Sequence, residues 1–236
     1  MWSGPRNLST TLMRSFGARA DTACTDEPFY AAYLAATGIE HPMRDEVLAA
    51  HETDPAKVAR ALVPSRDPDA APVHYQKHMT HHMVPAMPRD WMAEVRHVFL
   101  VRHPARVIVS FLKKTGFVSL DAIGLPQQTE LFETARRLTG ATPVVVDGDA
   151  ILRAPAAALA RVCAAVGIPE DPAMLRWDPG PRPEDGVWGR HWYDVVWRSS
   201  GFDPPPGPLP EVPPEAQPVL AEALEPYRAL CSHALG

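Results

Sequence analysis

Trp2-Ser3-Gly4-Pro5-Arg6-Asn7-Leu8-Ser9-Thr10-Thr11 and, about a hundred residues on, Val98-Phe99-Leu100-Val101-Arg102-His103-Pro104-Ala105-Arg106-Val107-Ile108-Val109-Ser110 decide the fold. Each reads as strand, turn and helix. The first places a glycine, a guanidinium and three hydroxyls where a helix begins, so that free backbone N–H groups and side-chain donors converge on one anion. The second ends an apolar strand on Arg102 and opens a helix at Pro104, which carries Ser110 roughly 9 Å along that helix at 1.5 Å per residue. Two such cradles predict a ligand with phosphate at two ends. Taken singly, Arg6 fits a surface ion pair, Arg102 a strand cap, and Ser110 a bond to the backbone four residues back. Their order and shared context favour the anion reading.

Outward from these motifs the chain alternates strand and helix, the pattern of an α/β domain with a mostly parallel sheet. Only Met1 to Ser3 precede Gly4, so the first strand is expected to be a stub or, the preferred reading, the chain to begin late. Leu8, Leu12, Met13 and Phe16 carry the first loop into an amphipathic helix. Thr22–Thr25 reads as a short strand and Tyr30–Ala36 as a helix. Arg44–Leu62 reads as two short surface helices around Pro55. Pro72–Gln76 is expected to be a strand that delivers Lys77, His78, His81 and His82 to the sheet edge where open α/β folds bind ligands. Arg96–Val101 and Pro143–Val146 read as buried strands, Pro126–Leu138 as an amphipathic helix, and Ala150–Val166 as a helix stopped by Gly167. The Pro-rich run 203–210 divides residues 1–202, read as the α/β body, from a last helix near Pro214–His233 that packs back on it.

The 236 residues are 46% hydrophobic with a net charge of −5, enough for one sizeable core and no global attraction to nucleic acid or an anionic membrane. Any phosphate site must therefore be built locally. Cys24, Cys163 and Cys231 lack metal spacing and are odd in number, as expected of reduced thiols in a cytoplasmic protein. No apolar run reaches membrane-spanning length.

The paired motifs resemble those of the sulfotransferase superfamily, which draws on 3′-phosphoadenosine 5′-phosphosulfate (PAPS). The resemblance implies a three-layer, P-loop NTPase-like sheet flanked by helices, with a Pro-rich C-terminal extension. It also implies that Arg6, Asn7, Ser9, Thr10 and Thr11 hold the 5′-phosphosulfate, and that Arg102 and Ser110 hold the 3′-phosphate. The loop has Arg6 where the family most often has Lys. The late strand resembles the family's as well, with Asp147-Gly148-Asp149 in place of the frequent Glu-Asp-Leu. Less tightly, Arg182 to Trp192 resembles the loop that closes over the nucleotide, with Arg182 as a phosphate contact and Trp188 against adenine; packing of the tail on the body is an equal alternative.

Sulfuryl transfer needs an acceptor for the substrate hydroxyl proton and positive charge near the departing phosphate. In the family the proton acceptor is commonly a His near a Lys. Lys77 with His78, His81 and His82 occupies the matching chain position, and the three histidines share one face if the segment is helical. Arg6 would supply charge at the bridging oxygen. No Asp, Glu or Cys follows at ligand spacing, so no metal is expected. The reading is thus a PAPS-dependent sulfotransferase acting on a hydroxyl of a small molecule or sugar. The alternatives are a catalytically degenerate nucleotide-binding domain of the same fold, or an ATP-dependent kinase, which the absence of Gly-Lys-Ser/Thr disfavours.

Overall fold

The computed structural model describes residues 1–63 and 70–235. In chain order they form β1 (Trp2–Ser3), α1 (Ser9–Gly17), β2 (Thr22–Asp26), α2 (Tyr30–Thr37), α3 (Arg44–Ala50), α4 (Pro55–Leu62), β3 (Val73–Met79), β4 (Val98–Val101), α5 (Pro104–Thr115), α6 (Leu125–Thr139), β5 (Val144–Asp147), α7 (Gly148–Arg153), α8 (Pro155–Val166), α9 (Gly189–Trp192), α10 (Asp194–Trp197) and α11 (Gln217–Cys231). The strands make one sheet in the order β2-β3-β1-β4-β5. Every pairing is parallel.

β1 is only two residues long, yet it lies at the centre, with Ser3 in register with Met79 on one side and Leu100 on the other. Trp2 compensates for the short strand. Its ring stacks on His78 at 4.4 Å and lies near Trp91 and Phe99, while its indole N–H donates to His97 Nδ1 at 2.9 Å. Successive β4 residues point to opposite faces, as the period of two requires. Phe99 and Val101 join the core that holds Trp2, Met92 and Phe132; Val98 and Leu100 join the one with Met13, Val146 and Leu159. All four are buried, as expected of a strand covered by helices on both faces.

Two elements differ from the sequence reading. The helix expected over Ala150–Val166 is broken into α7 and α8 at Ala154, whose extended backbone (φ −151°, ψ 72°) is what a following proline imposes. The Lys77–Met83 segment is not one helix either: β3 runs on to Met79, and a single 3-10 turn covers Thr80–His82. His78 therefore belongs to the strand and shares no helical face with His81 and His82. Along the C-terminal stretch, Val212, Ala216, Ala223 and Leu230 enter the same core as Trp2. No helix among the described residues is long and apolar enough to cross a membrane.

Candidate functional site

The register puts the ends of β1 and β4 side by side, so the loop after Ser3 and the turn after Val101 leave the sheet together. Gly4 lets the first of these loops lie close against the segment before α6. A Cβ there would lie 2.1 Å from the Ile123 carbonyl oxygen, so any side chain would push the loop off the segment before α6. Gly4→Ala is expected to cost about 1–3 kcal/mol by overpacking. Thermal denaturation checks it, and an unchanged melting temperature would count against the tight loop.

Beyond Gly4 the backbone enters the left-handed region at Arg6 (φ 65°) and at Leu8 (φ 71°), conformations that non-glycine residues rarely adopt. Leu8 occupies the N-cap of α1 and supplies no side-chain acceptor, so the first-turn N–H groups of that helix remain open. Asn7 is buried, and its Oδ1 has no partner among the described residues. The same atom's residue lines a small pocket with Arg102, Pro104, Gln128 and Tyr227. Ser9 is buried and Thr10 and Thr11 partly so, all in the first turn of α1.

The two motifs meet directly. Arg6 Nε donates to Ser110 Oγ at 2.9 Å, and Arg102 Nη1 reaches the Arg6 carbonyl at 3.4 Å. His103, not Arg102, caps α5, its Nδ1 accepting from Ala105 N–H. A carboxylate that sequence reasoning did not assign stands behind them: Asp149 accepts from Arg102 Nε at 3.1 Å and from Arg106 Nε at 2.6 Å. Its only sequence signal was its place in Asp147-Gly148-Asp149. Arg106 also donates to the Gly207 and Pro208 carbonyls, tying the Pro-rich run to the site.

The proposed chemical groups lie at the other side of β1. Lys77 is buried on β3, and its ammonium donates to Asp26 Oδ1 at 2.7 Å, Glu27 Oε1 at 2.6 Å and Tyr193 Oη at 2.6 Å. Burial alone would lower its pKa; the charges of Asp26 and Glu27 outweigh that and hold it above the ordinary lysine value. Burial raises the Glu27 carboxyl despite the neighbouring ammonium. Trp188 sits in the same network, fully enclosed, its indole N–H donating to Asp26 Oδ2 at 3.1 Å. Its ring and its N–H are thus taken up by packing. Arg182 bonds within its own loop, to the Asp178 carbonyl, and makes no contact with Arg102 or Ser110. Trp188 and Arg182 both make the packing contacts of the second alternative.

The three histidines have separate surroundings. His78 is wedged between Trp2 and Trp91, with Nε2 donating to Gln76 Oε1 at 3.1 Å. His82 is stacked against Tyr30 and Tyr33 at 4.6 and 4.9 Å. His81 is half-buried, edge-on to Tyr33, with Nδ1 unpartnered among the described residues. Burial, with the nearby His41, pushes its pKa down to about 4, so it is neutral and only weakly basic near pH 7. Among the described residues no group of three His, Cys, Asp or Glu is arranged to hold a metal ion. A groove of about 660 Å³ between Pro155, Arg176, Arg198 and Phe202 shares no residue with the two motifs and has no buried lining residue.

A parallel α/β sheet whose central loop and neighbouring strand end leave together at one edge defines an open, doubly covered α/β class of fold, which places ligand sites at that edge. The family model described as "Sulfotransferase domain" matches residues 1–234, and the chain belongs to that family. It is 36% identical over 204 residues to "Branched-chain-amino-acid aminotransferase-like protein 2" of Arabidopsis thaliana, covering 86% of this chain and 36% of that protein. The identity is also 36% over 232 residues with "Branched-chain-amino-acid aminotransferase-like protein 1" of the same plant, covering 98% and 41%. The chain thus spans about two fifths of the length of these curated relatives. Among solved structures, the sulfotransferase domain from the curacin biosynthetic pathway aligns at a TM-score of 0.47 and 14% identity over 94% of this chain and 95% of that one. The sulfotransferase domain from the Synechococcus PCC 7002 olefin synthase aligns at 0.47 and 15%, over 97% and 92%.

Proposed function

We propose that the chain transfers a sulfuryl group from PAPS to a hydroxyl of a small molecule or sugar, as a cytoplasmic enzyme with reduced thiols. The carrying observation is the direct meeting of the two motifs, Arg6 on Ser110 and Arg102 on the Arg6 carbonyl, at the end of the central strand. The open N–H groups of α1 fit a phosphate, and the unpaired Asn7 oxygen beside Arg102 fits a hydroxyl or amine donor of the same nucleotide. On this reading Arg6, Ser9, Thr10 and Thr11 with the α1 N–H groups grip the 5′-phosphosulfate, and Arg102 and Ser110 grip the 3′-phosphate. The donor supplies an activated sulfuryl group; the chain orients it and takes up the acceptor's proton. His81 is the candidate acceptor for that proton, since it is the one of the three that is not fully buried and its Nδ1 has no partner among the described residues; burial makes it a weak base until a ligand changes its surroundings. His78 and Lys77 act from within the core, His78 by packing on Trp2 and Lys77 by fixing Asp26 and Glu27 at the end of β2.

The test is calorimetric titration with 3′-phosphoadenosine 5′-phosphate, the donor's product. Micromolar binding is expected for the wild type, at least about 30-fold weaker binding for Arg102→Ala as a charge-assisted contact worth about 2 kcal/mol is lost, and none for adenosine monophosphate. Absence of wild-type binding would overturn the donor reading and leave a degenerate domain of this fold that binds no nucleotide.

A further inference from the structure

Asp149 lies outside every role given above, and it is nearly fully buried against two arginines. Each of its carboxylate oxygens takes one Nε–H, Oδ1 from Arg102 and Oδ2 from Arg106. Its position is secured from the backbone, since Asp147, the N-cap of α7, accepts the Asp149 N–H at 3.0 Å. Asp147 in turn faces Arg153 at 3.6 Å, so its own charge is answered locally. Gly148 between them has little room for a side chain, a Cβ meeting Leu8 at 3.3 Å and the Asn7 carbonyl at 3.5 Å. The start of α7 is therefore packed against the very loop that holds Arg6.

The two arginines are used differently. Arg106 has Nε on Asp149 and both terminal nitrogens on the Gly207 and Pro208 carbonyls, which leaves it as the anchor of the Pro-rich run and not a phosphate ligand. Arg102 has Nε on Asp149 and Nη1 on the Arg6 carbonyl, while Nη2 has no partner among the described residues. Arg6 has Nε on Ser110 and both terminal nitrogens without a partner among the described residues. A carboxylate fixed on the Nε side turns the opposite edge of a guanidinium outward, and that edge is the one that forks onto a phosphate.

We propose that Asp149 is the positioning residue of the 3′-phosphate half-site: it stays bound to Arg102 and Arg106 when the nucleotide is held, and so aims Arg102 at the phosphate while Arg106 secures the Pro-rich run. The inference rests on the donor reading for the identity of the ligand, but its geometry is a property of the free protein. A rival role makes opposite predictions. Were Asp149 a stand-in for the phosphate, the ligand would have to displace it, and removing its charge would tighten binding.

The experiment titrates wild-type protein and Asp149→Asn with 3′-phosphoadenosine 5′-phosphate, adenosine 5′-phosphosulfate and inorganic phosphate, and follows the arginine Nε–H resonances by NMR. Expected are at least ten-fold weaker binding of the bisphosphate by Asp149→Asn, an affinity for adenosine 5′-phosphosulfate within two-fold of wild type because it lacks the 3′-phosphate, and wild-type Arg102 and Arg106 Nε–H signals that remain exchange-protected in the complex. The wild-type signals decide the matter even if the variant does not fold. Unchanged or tighter binding by the variant, or loss of the protected signals on binding, overturns the proposal. If the wild type takes inorganic phosphate with its Nε–H signals intact but not the bisphosphate, the donor reading falls and the positioning role stands. If it binds neither, both fall.

Discussion

Lys77→Met is expected to destabilise the fold by about 3–5 kcal/mol, the cost of stranding a buried partner of an ion pair. The ammonium spends its three N–H groups on Asp26, Glu27 and Tyr193, leaving none for a ligand. Tyr193 passes its own proton to Asp26 Oδ2 at 2.6 Å, and Trp188 donates to the same oxygen. One lysine thus holds two carboxylates and pins the α9–α10 segment onto the ends of β2 and β3. Without it, Asp26 keeps only neutral donors and Glu27, already reluctant to ionise in its buried position, loses its counter-ion. Adding Asp26→Asn to Lys77→Met should recover part of the loss, because the two residues share one network and their effects do not add. Urea denaturation of the single and double variants measures this. Normal stability of Lys77→Met with lost activity would instead mean that Lys77 reaches the substrate.

How far the chain could be read without coordinates follows from which interactions are local. The alternation of Val98 to Val101 between two cores, the Pro104 start of α5 and the stop at Gly167 are all dictated by residues close in sequence. The juxtaposition of Arg6 with Ser110, 104 positions apart, needs in addition that β1 and β4 be neighbours, which the sheet order supplies. What escaped reading were partners contributed from afar. Asp149 on Arg102 and Arg106, the Gly207 and Pro208 carbonyls on Arg106, and Tyr193 on Lys77 span 43 to 116 positions, and nothing in local spacing marks them. Charge and ring mark Lys77 and Trp188 in the sequence, and the same traits suit a buried network. The divided face of His78, His81 and His82 has a backbone cause: β3 extends three residues past the expected end at Gln76, because Lys77 stays paired to β2 beside Asp26.

The same histidines make the protein acid-labile, and the effect should be large. Burial pushes His78 and His82 well below the ordinary histidine value and His81 and His97 down to about 4. For His97 the neutral form is also readable from its bonds: Nδ1 accepts from the Trp2 indole, so Nε2 must carry the hydrogen that meets the Met92 carbonyl. Above pH 6.5 both folded and unfolded chains hold these rings neutral, and they contribute no pH dependence. As pH falls below 6.5 the unfolded chain takes up protons that the folded chain refuses until near pH 4, so stability falls across that window. Each ring contributes a slope of about 1.4 kcal/mol per pH unit. Four of them remove roughly 6–8 kcal/mol between pH 6.5 and 5, a figure comparable to the whole stability of an ordinary domain. Glu27 and Asp147, whose carboxyls burial raises, act in the opposite sense toward the acid end of the window, while the buried Met1 amino group and the lowered rings of His41, His51, His74 and His103 act with the four. Denaturant unfolding at pH 7.5, 6 and 5 should show the midpoint collapsing, and His82→Phe, which keeps the stack on Tyr30 and Tyr33, should lower the slope by about one proton. A midpoint that stays level from pH 7.5 to 5 would mean that these rings are reached by water, and with them the floor of the site beside His81.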